Sequence, residues 1–256
     1  MSSADTPSIV RMSGVWASYK KKTSTLQNID MEIKVGDSHA IVGPSGAGKS
    51  TLLKLINGTM MPSRGTILVD NHRPDQRDSV FRSKMARIGY IPQSLGLVRN
   101  STVLDNVMMG ALSRLGGLQS LLKRYPDSEV DAGHKVLEQV GLSDKVDRNV
   151  YTLSGGERRR VAIARAFMQR PKILLADEMI SELDTTTSRI MMNMVRDEQK
   201  RTELTVIMIH HDIELATEFA NTISLIKGGQ KVLELGNSKN TITNFSIGES
   251  VQSGNA

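Results

Sequence analysis

Gly43, Gly48, Lys49 and Ser50 fall on the spacing G-x-x-x-x-G-K-S/T, within HAIVGPSGAGKSTLLKLI at residues 39–56. A short apolar strand runs into a glycine turn, and a helix starts directly after it. Glycines let successive backbone N–H groups point inward with no Cβ in the way. The helix adds its unpaired N-terminal donors and the positive end of its dipole. Lys49 can reach terminal phosphates, and the Ser50 hydroxyl suits Mg²⁺. The loop residues Gly43, Pro44, Ser45, Gly46, Ala47, Gly48, Lys49, Ser50 and Thr51 are therefore a candidate nucleotide-binding set. The alternative, a glycine-rich turn with a surface lysine, does not explain the strand and helix on either side. The motif alone does not separate ATPase, GTPase and kinase.

Two carboxylates close the apolar run KILLADE. Asp177 lies where an open parallel sheet presents its carboxyl ends, beside the phosphate loop, and can hold water on Mg²⁺. Glu178 follows it and could polarise a water against the terminal phosphate. TVIMIHHDIELA places His210 and His211 at the end of another strand. One can point at the γ-phosphate while the other packs or faces solvent, and chemistry alone does not assign them. The remaining histidines, His39, His72 and His134, show no zinc-type spacing. Asp212 is expected to cap the next helix. YTLSGGERRRVAIARAF supplies a second glycine turn at a helix start. There Ser154, Gly155 and Gly156 offer a hydroxyl and open N–H groups to an anion. Val161, Ala164 and Phe167 or Met168 back that helix with an apolar stripe.

These groups need a scaffold. HAIVG, KILLADE and TVIMIH read as strands buried on both faces, with helices between them: a parallel-sheet α/β core. SIVRMSGVWASY, LQNIDMEIKVGD and GTILVDN read as strands of an antiparallel sheet beside that core. ISLIKGGQKVLELG predicts a hairpin turning at Gly228 and Gly229. Between about residues 94 and 153 the pattern becomes helical, as in TVLDNVMMGALSRL and SEVDAGHKVLEQVGL. There Val130, Val136, Leu137 and Val140 recur at helical spacing, which predicts a helical insert within a single domain spanning 1–256. Residues 245–256 are polar and expected to fray.

Composition sets the bounds. The chain has 256 residues, enough for one α/β core, with 39% hydrophobic and 4% aromatic residues. It has no cysteine, which excludes disulfides, thiol nucleophiles and a cysteine zinc site, and suits a reducing compartment. No apolar run approaches the roughly 18 residues of a membrane span. MSSADTPSIV lacks the layout of a signal peptide, so an intracellular protein is expected. The net charge of +6 admits nucleic acid or an anionic membrane face as partners. The basic residues are scattered, however, and no aromatic residues interleave with them as base-stacking platforms. No nucleic-acid partner is expected.

Taken in order, GPSGAGKST, IPQS, LSGGE, ILLADE, SELD and HHD resemble the ATP-binding subunit of an ABC transporter, at family-like spacing over nearly the whole chain. The resemblance implies a P-loop NTPase core with an antiparallel β subdomain and a helical insert. It implies ATP and Mg²⁺, and a head-to-tail dimer in which each ATP lies between the phosphate loop of one copy and the signature turn of the other. Ser154, Gly155 and Gly156 would then clamp the partner's γ-phosphate. Gln93 matches the Q-loop glutamine, which senses nucleotide and metal and faces the membrane subunit. Glu178 matches the catalytic glutamate and His211 the switch histidine, because the family residue directly precedes an aspartate. Ser181 and Asp184 fall in the D-loop. Tyr19, with Trp16 as the reserve, is the candidate aromatic stacked on adenine.

Some positions depart from the family pattern. Met179 replaces the usual proline, whose loss is expected to loosen the D-loop. Glu157 replaces the usual glutamine and is expected just outside the first helical turn. Glu182 stands where alanine is usual and is expected to be exposed. The insert, with LGLVRN, NVMMGALSR and SLLKRYP, resembles phosphonate-importing ATPases. It implies a permease partner, an extracytoplasmic solute-binding protein and a peripheral place on the cytoplasmic face of the membrane. Phosphate, polar amino acid and lipoprotein-type systems are the alternatives. Sugar importers are disfavoured, because no regulatory domain follows the final hairpin. A soluble ABC ATPase acting on nucleic acid or ribosomes, which usually has two cassettes or a coiled-coil insertion, is the remote alternative. A scaffold without hydrolysis conflicts with the presence of Lys49, Asp177, Glu178 and His211.

Overall fold

A computed structural model describes residues 6–236, apart from 20–24, 76, 116–124, 181–182 and 211. The chain forms two compact units: Met1–Pro74 with Ile207–Ala256, and Asp75–Val206.

The first unit opens with β1 (Ser8–Ala17), β2 (Leu26–Lys34), β3 (Ser38–Val42), α1 (Lys49–Ile56) and β4 (Arg64–Val69). Strands β2, β1 and β4 pair in that order as an antiparallel sheet. Alternation along β1 buries Val10, Met12 and Val15, and Met12 lies opposite Met31 of β2 and Ile67 of β4. The register slips between Met12 and Val15. In that interval Gly14 has φ 56° and donates its N–H to Asp30 Oδ1 at 2.8 Å. Every residue of β3 is buried, the apolar Ala40, Ile41 and Val42 as the sequence predicts and the polar Ser38 and His39 with them.

The second unit begins with α2 (Ser79–Met85) and β5 (Ile88–Ile91). Helix α3 (Val103–Met108) tightens into a 3-10 turn, Met109–Arg114. Next come α4 (Asp127–Gln139), 3-10 turns at Ser143–Lys145 and Val150–Thr152, and α5 (Gly155–Met168). Strand β6 (Ile173–Asp177) pairs in parallel with β5, and α6 (Thr185–Thr202) follows. The helices approach closely: a Cβ on Gly110 would lie 2.3 Å from the Arg165 carbonyl oxygen. Asn106, fully buried, accepts from Val98 N at 2.8 Å and donates to the carbonyls of Val98 and Thr102 at 3.0 and 2.9 Å. It thereby pins the loop before α3 and satisfies its own amide.

Strand β7 (Thr205–His210) starts where the second unit ends, and α7 (Ile213–Phe219), β8 (Thr222–Lys227) and β9 (Gln230–Gly236) follow. Within the first unit the strand order is β7-β3-β8-β9. Strand β8 runs parallel to β3, and β8–β9 is an antiparallel hairpin turning at Gly228 and Gly229, with φ 57° and 78°. The core strands, the antiparallel sheet, the hairpin and the helical insert stand where the sequence places them. On α4 the expected stripe is uneven: Leu137 and Val140 are fully buried, Val130 and Val136 only partly. The proposed tail at 245–256 lies outside the described residues. Among the described residues no helix is long and apolar enough to cross a membrane.

Candidate functional site

In the first unit β3 delivers the chain into the glycine loop. Gly43 has φ 148°, and a Cβ there would lie 2.0 Å from the Ile226 carbonyl oxygen of β8. Gly48, at φ 103°, is the residue before α1, and its Cβ would press to 2.6 Å from Leu26 Cδ2. Both glycines are there because backbone passes through space that a side chain would fill. Lys49 is 7% exposed. Its Nζ folds back over the loop, donating to the carbonyls of Gly43 at 2.7 Å and Pro44 at 2.9 Å. Ser50 and Thr51 occupy the first turn of α1, whose donors point toward the loop. Gly43→Ala is expected to cost about 3 kcal/mol or more, because the contact is with backbone that cannot rotate away. Urea unfolding of both proteins checks this, and an unchanged midpoint would refute the packing explanation.

Tyr19 lies beside the same helix. Thr51 Oγ1 donates to its hydroxyl at 3.4 Å and Lys54 Nζ at 3.1 Å, with the ammonium 5.3 Å from the ring centroid. Tyr19 as a residue is 58% exposed. Trp16 is partly buried in β1, and its carbonyl accepts from Ser63 N and Oγ at 2.8 and 3.1 Å.

At the other end of the unit His210 is buried, and its Nδ1 accepts the Asp212 N–H at 2.8 Å. Asp212 caps α7 as expected, accepting from Leu215 N at 3.1 Å. His211 lies outside the described residues.

In the second unit Asp177 ends β6, buried, with the Tyr90 hydroxyl 3.5 Å from its Oδ2. Glu178 takes φ 51°, a left-handed conformation that costs a non-glycine residue energy and commonly marks functional positions. Gln93 Nε2 donates to Glu178 Oε2 at 2.9 Å, so two residues matched separately in sequence meet in space. Met179 does not leave its backbone unheld. Its side chain is buried, and its carbonyl accepts from Arg159 Nε at 2.9 Å. Burial and a guanidinium anchor the position where proline would have stiffened the chain. Ser181 and Glu182 lie outside the described residues. Asp184 caps α6, accepting from Thr187 N at 2.9 Å, and the Thr187 hydroxyl, with that N–H second, holds its carboxyl below the usual range.

The second glycine turn starts α5. Ser154 is its cap, with Oγ accepting from Glu157 N at 3.2 Å while Glu157 Oε2 accepts from Ser154 N at 2.8 Å. Glu157 therefore sits inside the first turn, not just outside it as the sequence suggests. Its side chain reaches back to the cap, and the Ser154 N–H holds its carboxyl below the usual range. Lys145 Nζ lies 3.4 Å from Glu157 Oε1. The stripe Val161, Ala164, Phe167 and Met168 is buried as expected. Arg165, further along α5, donates to the carbonyls of Leu95 at 2.6 Å and Gly96 at 2.7 Å, just past Gln93. Tyr90, Lys145, Arg159 and Arg165 have no sequence signal beyond their type, because their partners come from distant segments.

The donors suit a magnesium nucleotide. Ser50 in the first unit, and Gln93 and Asp177 in the second, each carry an oxygen donor (hydroxyl, amide and carboxylate) of the hard kind that Mg²⁺ takes alongside phosphates and water. The described residues hold no cluster of three or more His, Cys, Asp or Glu that would form a metal cage instead. At the tip of the loop Gly46, at φ 76°, is exposed, and a Cβ there would meet nothing within 4 Å, so the loop is open on that side.

The family profile described as ABC transporter matches residues 26–181. Over 229 residues the chain is 37% identical to the phosphonates import ATP-binding protein PhnC 2 of Synechococcus sp., covering 88% of this chain and 84% of that one. It is 36% identical over 230 residues to the phosphonates import ATP-binding protein PhnC of Bordetella parapertussis, covering 88% and 90%. Among solved structures, cbiO1 of Clostridium perfringens, part of an ABC transporter complex, superposes with a TM-score of 0.81 at 29% identity, covering 95% and 94%. The dimeric structure of a bacterial ABC transporter cassette superposes with a TM-score of 0.78 at 28% identity, covering 89% and 98%. Motifs, fold and relatives agree, and the chain belongs to the ABC transporter family, with the fold of its ATP-binding cassette.

Proposed function

We propose that this chain is the ATP-binding and hydrolysing subunit of an importer for a phosphonate or a related phosphorus oxyanion. The observation that carries the reading is the Gln93–Glu178 hydrogen bond at 2.9 Å, beside a strand-end Asp177, in a chain that also builds a complete phosphate loop. Lys49 releases its loop carbonyls to meet terminal phosphate oxygens, and the N–H groups of the loop from Gly43 to Thr51 hold the rest. Tyr19 stacks on the adenine. Ser50, Asp177 and the Gln93 amide oxygen would hold Mg²⁺, which when bound withdraws charge from the phosphates. Glu178 orients and polarises the attacking water, and His211 contacts the γ-phosphate. Two copies pair head to tail, with Ser154, Gly155, Gly156, Ser181 and Asp184 of each facing the other's nucleotide; dimeric relatives support the pairing.

The cargo rests on the relatives, whose names state phosphonate import. The subunit would act at the cytoplasmic face of the membrane, bound to permease subunits that receive solute from an extracytoplasmic binding protein. Reconstitution with that permease and binding protein in sealed vesicles tests the reading, with ATP on the side of this subunit. Labelled phosphonate, phosphite, phosphate and a polar amino acid are offered separately. ATP-dependent phosphonate uptake that disappears with Glu178→Gln is the expected result. Amino-acid uptake without phosphorus oxyanion uptake would overturn the cargo and leave the ATPase standing.

A further inference from the structure

The second glycine turn holds an anion of its own. Glu157 Oε2 accepts the Ser154 N–H at 2.8 Å, a donor that an incoming phosphate would otherwise use. A fixed carboxylate therefore stands at the helix end whose dipole and N–H groups should attract polyphosphate, and like charge there opposes capture. Lys145 answers it from the 3-10 turn Ser143–Lys145, with Nζ 3.4 Å from Glu157 Oε1. The Lys145 and Glu157 side chains are 23% and 20% exposed, so water screens this pair less than a surface pair. Lys145 also lies 3.3 Å from Asp144, but that carboxylate is 73% exposed and well screened.

We propose that Lys145 is a positioning residue for nucleotide capture. It neutralises Glu157, so that the turn formed by Ser154, Gly155 and Gly156 can accept the triphosphate held by a second copy of the chain. The inference rests on the proposed role of that turn as a clamp across the dimer. With glutamine at position 157 the same backbone bond forms without the charge, and no counter-cation is needed. The carboxylate makes Lys145 necessary.

A double-mutant cycle tests this in full-length protein carrying Glu178→Gln, so that ATP persists. ATP-driven dimerisation is followed by sedimentation, and ATP binding to the monomer by a fluorescent analogue. Lys145→Met is expected to raise the ATP needed for half-dimerisation by about three- to tenfold and leave monomer binding unchanged. Glu157→Gln alone should need no more ATP than the parent. The two together should fall within about twofold of Glu157→Gln. Lys145→Arg, which keeps the charge, should match the parent. An unshifted Lys145→Met, an equal shift with Glu157→Gln present, or a parallel loss of monomer binding would each overturn the proposal. Failure of the parent itself to dimerise with ATP would overturn the clamp reading beneath it, and the proposal with it.

Discussion

Glu178→Gln is expected to lower ATP turnover by about two to three orders of magnitude while leaving nucleotide binding intact. The substitution keeps the side chain's shape and removes the charge that would polarise water. The left-handed backbone at Glu178 survives it, since the energetic cost belongs to the main chain and is similar for glutamine. The contact to Gln93 survives as an amide–amide bond, weaker for lack of charge assistance. Chemistry should therefore fail with the fold unharmed, and ATP should accumulate in a stable dimer. Phosphate release and sedimentation in ATP measure the two halves of the expectation. Hydrolysis near the parental rate would remove Glu178 from its proposed role. Slow hydrolysis without dimers would mean that capture itself had been damaged.

The groups that act through consecutive residues were legible in the sequence. The phosphate loop is local: the strand, the glycines, the lysine and the helix start form one uninterrupted stretch, so spacing predicts geometry. The capped start of α5 is local in the same way, and only the depth of Glu157 in the first turn differs from what the sequence suggests. Strands β3, β6 and β7 announce themselves as apolar runs because they are buried throughout. Strand β5 did not, since IGYI is short and contains a glycine. What composition and spacing could not give are contacts between distant segments. Gln93 and Glu178 are 85 residues apart, and Arg165 and Leu95 are 70 apart. Arg159, Arg160 and Arg165, which contribute to a basic overall charge, all donate to backbone carbonyls of their own unit. A scattered positive charge thus serves the fold, which counting residues cannot reveal.

His211→Ala is expected to reduce turnover by about a hundredfold, and His210→Ala to act mainly on stability. The adjacent histidines looked equivalent to chemistry alone. The difference comes from the turn after β7, where His210 Nδ1 accepts the Asp212 N–H at 2.8 Å. An Nδ1 that accepts carries no proton, so the ring is fixed in one tautomer and occupied by its own backbone. The same residue, Asp212, caps α7, so removing the imidazole loosens the helix start and strands a backbone donor. That should cost about 1–2 kcal/mol, visible as a lowered Tm, with the surviving folded protein still hydrolysing ATP. His210→Asn offers an acceptor at similar reach and should recover part of the loss. His210 is committed to the turn, so the γ-phosphate role stays with His211 as proposed. Thermal melts and ATP hydrolysis on the three variants separate the roles. A collapse of turnover in folded His210→Ala, with His211→Ala active, would reverse the assignment.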